Sequence, residues 1–429
     1  MIMKQIIAFL ILSISLSANA QNHELIGYWQ NWNDSNSPYI PLNQVDSRYT
    51  VICVSFSVPT SPSDMTMLFT PDGVSQAVLI SQMQELQNQG KKIILSIGGA
   101  TTSISLNNDT SKNAFINSMN TILETYPFDG IDIDIEHGNS ILASGTIASP
   151  TSPDCINLIN AITQIKAHYF TFYNKTMMLT MAPETAYVQG GMSAYGGIWG
   201  GYLPILNALR NDINFVHVQL YNSGSVYGID GNIYTQGTPD FIIAMSEALI
   251  HGFSTAGGFF TGFPANKVVV GLPSCPNAAG GGFVSTTQVQ SAVNYLMGTG
   301  PRSGAYQLNQ PAGYSDLGGL MTWSINWDKV TSCNTTSYEF AQNFQQLFGS
   351  PLSTADFSNR EMALYPIPSS TELFIYDLNQ KENYQIINFQ GQIIEQNSLE
   401  PNGSILITDL KSGLYILKIA NQNFKFIKR

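Results

Sequence analysis

Between Glu24 and Trp327 the chain repeats one pattern: a short, nearly unbroken apolar run, a loop, and a longer segment whose apolar positions follow helical spacing. The runs are ELIGYW (24–29), TVICVSFSV (50–58), KIILSIGG (92–99), GIDIDIE (130–136), MMLTMAPE (177–184), NFVHVQLY (214–221), KVVVGLP (267–273) and GGLMTWSI (318–325). Helical segments separate them, for example 74–89, 113–126, 154–172, 239–251 and 287–297. Strands of a parallel sheet carry helices outside them, so they read as continuous apolar runs. Eight such units over about 300 residues fit an α/β fold, the closed (β/α)8 TIM barrel. A doubly wound open sheet is the alternative, but no glycine-rich phosphate turn follows the first run.

The pattern changes after residue 349. Residues 350–362 are polar, include Pro351 and read as a linker. From 363 to 429 come short alternating runs, ELFIYDL, YQIINF, GQIIEQ, GSILITDL, GLYILKI and FKFIK, separated by turn residues such as Pro401-Asn402-Gly403 and Ser412-Gly413. That alternation predicts a small all-β sandwich domain. At the other end, residues 1–20 have Lys4, an apolar run from Ile6 to about Leu16, and Ala18-Asn19-Ala20 as a small-x-small cleavage site. The run is shorter than the ~20 residues a membrane span needs, so it reads as a secretory signal peptide, leaving 21–349 for the barrel.

Export permits disulfides, and four cysteines allow three pairings. Cys275 and Cys333 each fall just beyond strands expected to be neighbours, so a bridge between those loops is one open pairing. Cys53, inside VICVSFSV, reads as a buried thiol. The net charge of −11 makes nucleic acid and anionic membranes poor partners.

The fourth run carries the candidate chemistry. In Asp129-Gly130-Ile131-Asp132-Ile133-Asp134-Ile135-Glu136, strand alternation puts Asp132, Asp134 and Glu136 on one face and the isoleucines on the other. In a barrel the isoleucines meet the helices, the acids line the interior, and Glu136 sits nearest the mouth. Carboxylates stacked at ~6.6 Å intervals in a confined site do not all ionise near neutral pH. A protonated acid at the mouth is what cleavage of a glycosidic bond requires, because the leaving oxygen must be protonated. A calcium loop is excluded, since His137 and Ala143 occupy its glycine and distal glutamate positions. The histidines lack metal-ligand spacing, and His137 and His217 read as supporting residues, so no metal or cofactor is expected.

These residues resemble the chitinases of glycoside hydrolase family 18, whose D-G-x-D-x-D-x-E stands here as Asp129 to Glu136. The third strand adds Ser96-Ile97-Gly98-Gly99, the first Gly27-Tyr28-Trp29, the sixth Gln219-Leu220-Tyr221-Asn222, and the eighth Met321-Thr322-Trp323-Ser324. The resemblance implies substrate-assisted cleavage of chitin with retained configuration, the route outside the two-carboxylate scheme. It makes Glu136 the acid and later the base, Asp134 the partner of the acetamido N–H, and Asp132 the group sharing a proton with Asp134. Tyr221 would orient the acetamido carbonyl, and Trp323 would floor the sugar. It also implies substrate contacts at Trp29, Gln219, Asn222, Met181 and Glu184. Trp29, Trp32, Trp199, Trp323 and Trp327 all fall at strand ends or in the loops after them, the face where barrel enzymes work. Around Trp199 the loop 190–202 has six glycines and no lysine; a mobile substrate loop and a plain linker both fit it. Exo-acting bacterial members often carry an α+β insertion between strands seven and eight. Only about 45 residues separate Pro273 from Gly318, so an open cleft and endo-cleavage are expected.

The region 363–429 resembles the C-terminal sorting domain of type IX secretion substrates, through Tyr365-Pro366-Ile367-Pro368-Ser369, Phe389-Gln390-Gly391, Leu410 to Tyr415 and the closing Lys425 to Arg429. Ile367 departs from the usual Pro-Asn-Pro opening. The resemblances together imply a secreted monomer with chitin or N-acetylglucosamine oligosaccharides and the type IX secretion machinery as partners. Two other functions share the barrel: an endo-β-N-acetylglucosaminidase acting on N-glycans, and a chitin-binding lectin. Lectin-like members have usually lost the acid that Glu136 retains.

Overall fold

The computed structural model describes residues 23–136, 140–349, 363–365, 368–376, 378, 380–388, 391–401, 403–419 and 422–429. The signal segment 1–20, the linker 350–362 and His137 lie outside the described residues. Two compact units form, one on each side of residue 353.

The first unit is a barrel of eight parallel strands: Glu24–Gln30, Val51–Ser61, Lys92–Gly98, Gly130–Asp134, Met178–Met181, Phe215–Val216, Val269–Pro273 and Gly319–Trp323. The eighth pairs with both the first and the seventh, and single bridges Val216 to Val268 and Gln219 to Gly271 close the ring. Strand alternation splits the side chains into two sets. Leu25, Ile52, Ile93, Leu95, Ile131 and Ile133 join the large core beneath the helices. Ile26, Tyr28, Val51, Cys53, Ile94, Val269 and Met321 fill the barrel interior. Helices Gln76–Asn88, Asp109–Thr125, Pro153–Tyr173, Pro239–His251 and Thr286–Leu296 match the helical spacings within a few residues.

Three features depart from the apolar runs. The second strand continues to Ser61 and turns back antiparallel as Asp64–Leu68. The fourth stops at Asp134, two residues before Glu136. The sixth is reduced to Phe215–Val216, beyond which pairing continues only as isolated bridges, Glu184 to Gln219 and Gln219 to Gly271.

The segment between strands seven and eight holds one α-helix and is pinned to helix Pro239–His251 by two carboxylates. Asp240 accepts from the Ala305 and Tyr306 backbone N–H groups, both at 2.9 Å. Glu247, fully buried, accepts from the Tyr306 hydroxyl (2.6 Å), the Tyr314 hydroxyl (2.7 Å) and the Asn309 N–H (2.8 Å). Cys275 and Cys333 form a disulfide across the loops after strands seven and eight, while Cys53 and Cys155 are buried free thiols. The bridge spans 58 residues of sequence, and loop-closure entropy assigns such a crosslink about 4 kcal/mol, with measured values commonly nearer half of that. Replacing both cysteines by serine is therefore expected to lower the denaturant midpoint, and adding reductant should lower the wild type alone.

The second unit stacks two antiparallel sheets. One is Ala363–Tyr365, Glu372–Tyr376 and Ser404–Leu406; the other orders Ile393–Leu399, Glu382–Asn388, Gly413–Ile419 and Gln422–Lys428. Leu373, Ile386, Ile405, Leu417 and Phe426 are fully or almost fully buried between them.

Candidate active site

The fourth barrel strand places the acids. A Cβ at Gly130 would overlap the Met178 carbonyl, so glycine is what lets strands four and five pair there. Asp132 and Asp134 follow inside the barrel, 0% and 2% exposed, and Glu136 is half-buried beyond them.

Asp132 is held by four other strand regions. Its Oδ2 accepts from the Tyr28 hydroxyl at 2.6 Å and the Ser96 hydroxyl at 2.8 Å, and its Oδ1 accepts from the Thr180 hydroxyl at 2.6 Å. His217 Nε2 lies 3.3 Å from the same Oδ1. Burial alone would push this carboxyl up, but attraction to the nearby His217 and the hydroxyl hydrogen bonds from Thr180 and Tyr28 outweigh it and hold Asp132 below the usual carboxylate range. Asp134 goes the other way. Burial, then the charges of Glu136 and Asp132, raise it well above that range.

Asp134 is therefore the acid of the column whose neutral form is most favoured, and its side chain hydrogen-bonds to Glu136. Gln219 spans the pair: its Nε2 lies 2.8 Å from Asp134 Oδ1, 2.9 Å from Glu136 Oε1 and 3.1 Å from the Ala182 carbonyl. Tyr221 is buried beside the acids, and burial followed by the charges of Glu136, Asp134 and Glu184 keeps its phenol protonated. Trp323 stacks on Phe56 at 5.8 Å and 10°, and Trp32 stacks on the same Phe56 ring at 6.1 Å and 30°. This half-buried aromatic floor beside a proton-donating column suits the apolar face of a sugar ring and the protonation of its leaving oxygen.

Among the remaining sequence-derived residues, Glu184 is half-buried and bridges by backbone to Gln219, Asn222 is exposed with a left-handed φ of 54°, and Trp199 is 41% exposed. Two assignments are corrected. Trp29 is fully buried on the helix side and donates its Nε1–H to the Ile40 carbonyl at 2.8 Å, so it does not reach the cleft. Met181 is likewise fully buried in the helix-facing core. Strand parity accounts for both: Tyr28 and Thr180, one position earlier, take the inward places. That parity was the available signal for Tyr28 and Thr180, which the sequence reading gave no role. Phe56 had no signal beyond its place near the end of the second run.

One cluster, Cys53, Asp132 and His217, brings possible metal-ligand atoms within 4.8 Å of one another. Its chemistry opposes a metal: the Asp132 oxygens already accept three hydroxyls, and burial with the two aspartates pushes the Cys53 thiol up, away from the thiolate a metal needs.

Comparison with known proteins gives the lineage. Glycosyl hydrolases family 18 matches residues 24–377, and the Secretion system C-terminal sorting domain matches residues 363–429. Chitinase D of Niallia circulans is 45% identical over 314 residues, 72% of this chain and 59% of that protein. Chitinase ChiA of Flavobacterium johnsoniae is 32% identical over 409 residues, 89% of this chain and 26% of that protein. A family GH18 chitinase from Chromobacterium violaceum has the same fold, with a TM-score of 0.67 and 36% identity over 76% of this chain and 83% of that one. The chain thus spans less than two thirds of the length of the two curated relatives named here.

Proposed function

The chain belongs to the glycosyl hydrolases of family 18 and carries a C-terminal secretion sorting domain, and from that premise we propose that the barrel hydrolyses β-1,4 bonds between N-acetylglucosamine units of chitin. It cuts within the polymer and retains anomeric configuration. The observation that carries this reading is the column of Asp132, Asp134 and Glu136 inside the barrel, with Gln219 bridging the upper two acids at 2.8 and 2.9 Å and burial and neighbouring charge raising Asp134 well above the usual carboxylate range.

When the acetamido N–H of a bound sugar approaches Asp134, that side chain is better as an acceptor, and the shared proton moves to Glu136. Glu136 then protonates the glycosidic oxygen while the acetamido carbonyl oxygen attacks C1. The resulting oxazolinium cation is stabilised by anionic Asp134, with Tyr221 directing the carbonyl. Water opens the ring with Glu136 as base, and the two inversions restore the starting configuration. Trp323 supplies the floor of the reacting subsite, and Gln219, Asn222, Glu184 and Trp199 supply further contacts.

Endo-cleavage is supported by the shortness of the segment between strands seven and eight, which holds one α-helix and is pinned to helix Pro239–His251. We further propose that residues 1–20 direct export, that 363–429 engage type IX secretion, and that the enzyme works outside the cell or at its surface as a monomer.

Digestion of N-acetylglucosamine hexamers tests the reading. Dimers, trimers and tetramers should appear together as β-anomers, and fully deacetylated hexamers should survive, since an amine offers no oxygen to attack C1. Dimers alone from one chain end would overturn endo-action. Cleavage of a high-mannose glycoprotein with none of chitin would overturn the substrate.

A further inference from the structure

We propose that Tyr202 is a positioning residue for the general acid: its buried hydroxyl grips the backbone of Ile135, between Asp134 and Glu136, and thereby fixes how Glu136 is presented. The inference rests on the role of Glu136 proposed above.

The fourth strand has lost its ladder where the acid sits. The Ile133 carbonyl is still taken by Ala182 N–H at 2.9 Å and the Asp134 carbonyl by Gly99 N–H at 2.7 Å. Ile135 follows, 3% exposed, and neither neighbouring strand reaches it. A buried peptide needs partners for both its N–H and its C=O. One hydroxyl provides both: Tyr202 Oη accepts from Ile135 N–H at 3.0 Å and donates to the Ile135 carbonyl at 2.9 Å. Only a neutral hydroxyl can donate and accept at once, and burial keeps the Tyr202 phenol protonated.

Tyr202 is itself immobilised. Its ring is fully buried and packs edge-on against Tyr187 at 5.9 Å and 88°, and its N–H donates to the Tyr187 carbonyl at 3.0 Å. It ends the glycine-rich loop, whose Gly201 faces the Ile141 carbonyl with no room for a Cβ. The same loop pairs with the segment beyond the acid, Ala143 N–H to the Gly197 carbonyl at 2.7 Å and Gly197 N–H to the Ala143 carbonyl at 3.2 Å. The glycines thus let the loop lie close against the catalytic segment and brace it. Gln219 holds the carboxyl end of Glu136, and Tyr202 holds the backbone end.

Tyr202→Phe keeps the ring and removes the grip. On N-acetylglucosamine oligomers kcat should fall ~10–100-fold, because a misplaced acid donates poorly, with KM within ~3-fold of wild type. On the 4-nitrophenyl glycoside of N,N′-diacetylchitobiose, whose phenolate leaves without protonation, kcat/KM, which reports the steps up to that departure and not the later base-assisted attack of water, should stay within ~3-fold. Tyr169→Phe, which removes a buried hydroxyl donated to the Phe128 carbonyl at 2.8 Å on the opposite side of the strand's entry, should leave the ratio of the two activities unchanged. Equal losses on both substrates, or none on oligomers, overturn the proposal. Cleavage of neither substrate by the wild type would instead overturn the assigned function. Should Tyr202→Phe fail to fold, amide exchange in the wild type decides: the Ile135 N–H should exchange as slowly as that of Ile133, and exchange as fast as a loop amide overturns the grip.

Discussion

Glu136→Gln is expected to bind chitin oligomers with near wild-type affinity and to turn them over ~10³-fold more slowly. Glutamine matches glutamate in shape and can still face Gln219 and Asp134, so the half-buried site stays formed. What it lacks is a proton acidic enough to give to the leaving oxygen and a base to activate water afterwards. The two losses fall on both chemical steps, whereas ground-state contacts with Trp323 and its aromatic neighbours are untouched. Steady-state rates beside calorimetric titration of an N-acetylglucosamine hexamer make the comparison. A variant that keeps a tenth of wild-type turnover would remove Glu136 from the acid's role, and a variant and wild type that both bind and never cut would make the barrel a lectin.

Glu247→Ala should cost ~3–5 kcal/mol of stability, the usual consequence of removing the shared acceptor of several buried donors and leaving a cavity in its place. Glu247 is fully buried and accepts five hydrogen bonds, all from neutral donors: two phenols, two backbone N–H groups and the Asn309 amide. No compensating cation among these partners has to be removed with it, so the whole penalty falls on donors left unpaired in the interior. Glutamine at 247 keeps one acceptor oxygen and should lose less than alanine does. Because these donors all lie in the segment before the eighth strand, that segment should loosen first, visible as amide exchange at Tyr306 to Tyr314 well ahead of the barrel strands. Denaturant midpoints of the two variants within error of wild type would show that the clamp carries no net stability.

The barrel was legible because its signal is redundant. Ile131, Ile133 and Ile135 announce a helix-facing side, and the acids between them can only point inward; the structure adds that burial and neighbouring charge push Asp134 up and that Gln219 bridges it to Glu136. Parity errors explain the misplaced contacts. Trp29 and Met181 belong to the correct strands, but one residue along a strand turns a side chain to the opposite face. The sixth strand was overestimated because an apolar run does not reveal where pairing with the neighbours thins to single bridges, as it does beyond Val216. Tyr202 lay beyond reach for a different reason: its partner is 67 residues away, and nothing local in a glycine-rich loop marks a hydroxyl that substitutes for a missing strand.

The cradle of Asp132 also ties activity to the completeness of the fold. Its partners come from the first, third and fifth strands and from His217 after the sixth, so a fragment lacking any of these regions cannot complete the cradle of that carboxyl. On the function proposed above, a nascent chain is silent toward polysaccharide until sequence segments nearly two hundred residues apart, around Tyr28 and His217, have met, and turnover becomes a reporter of that meeting.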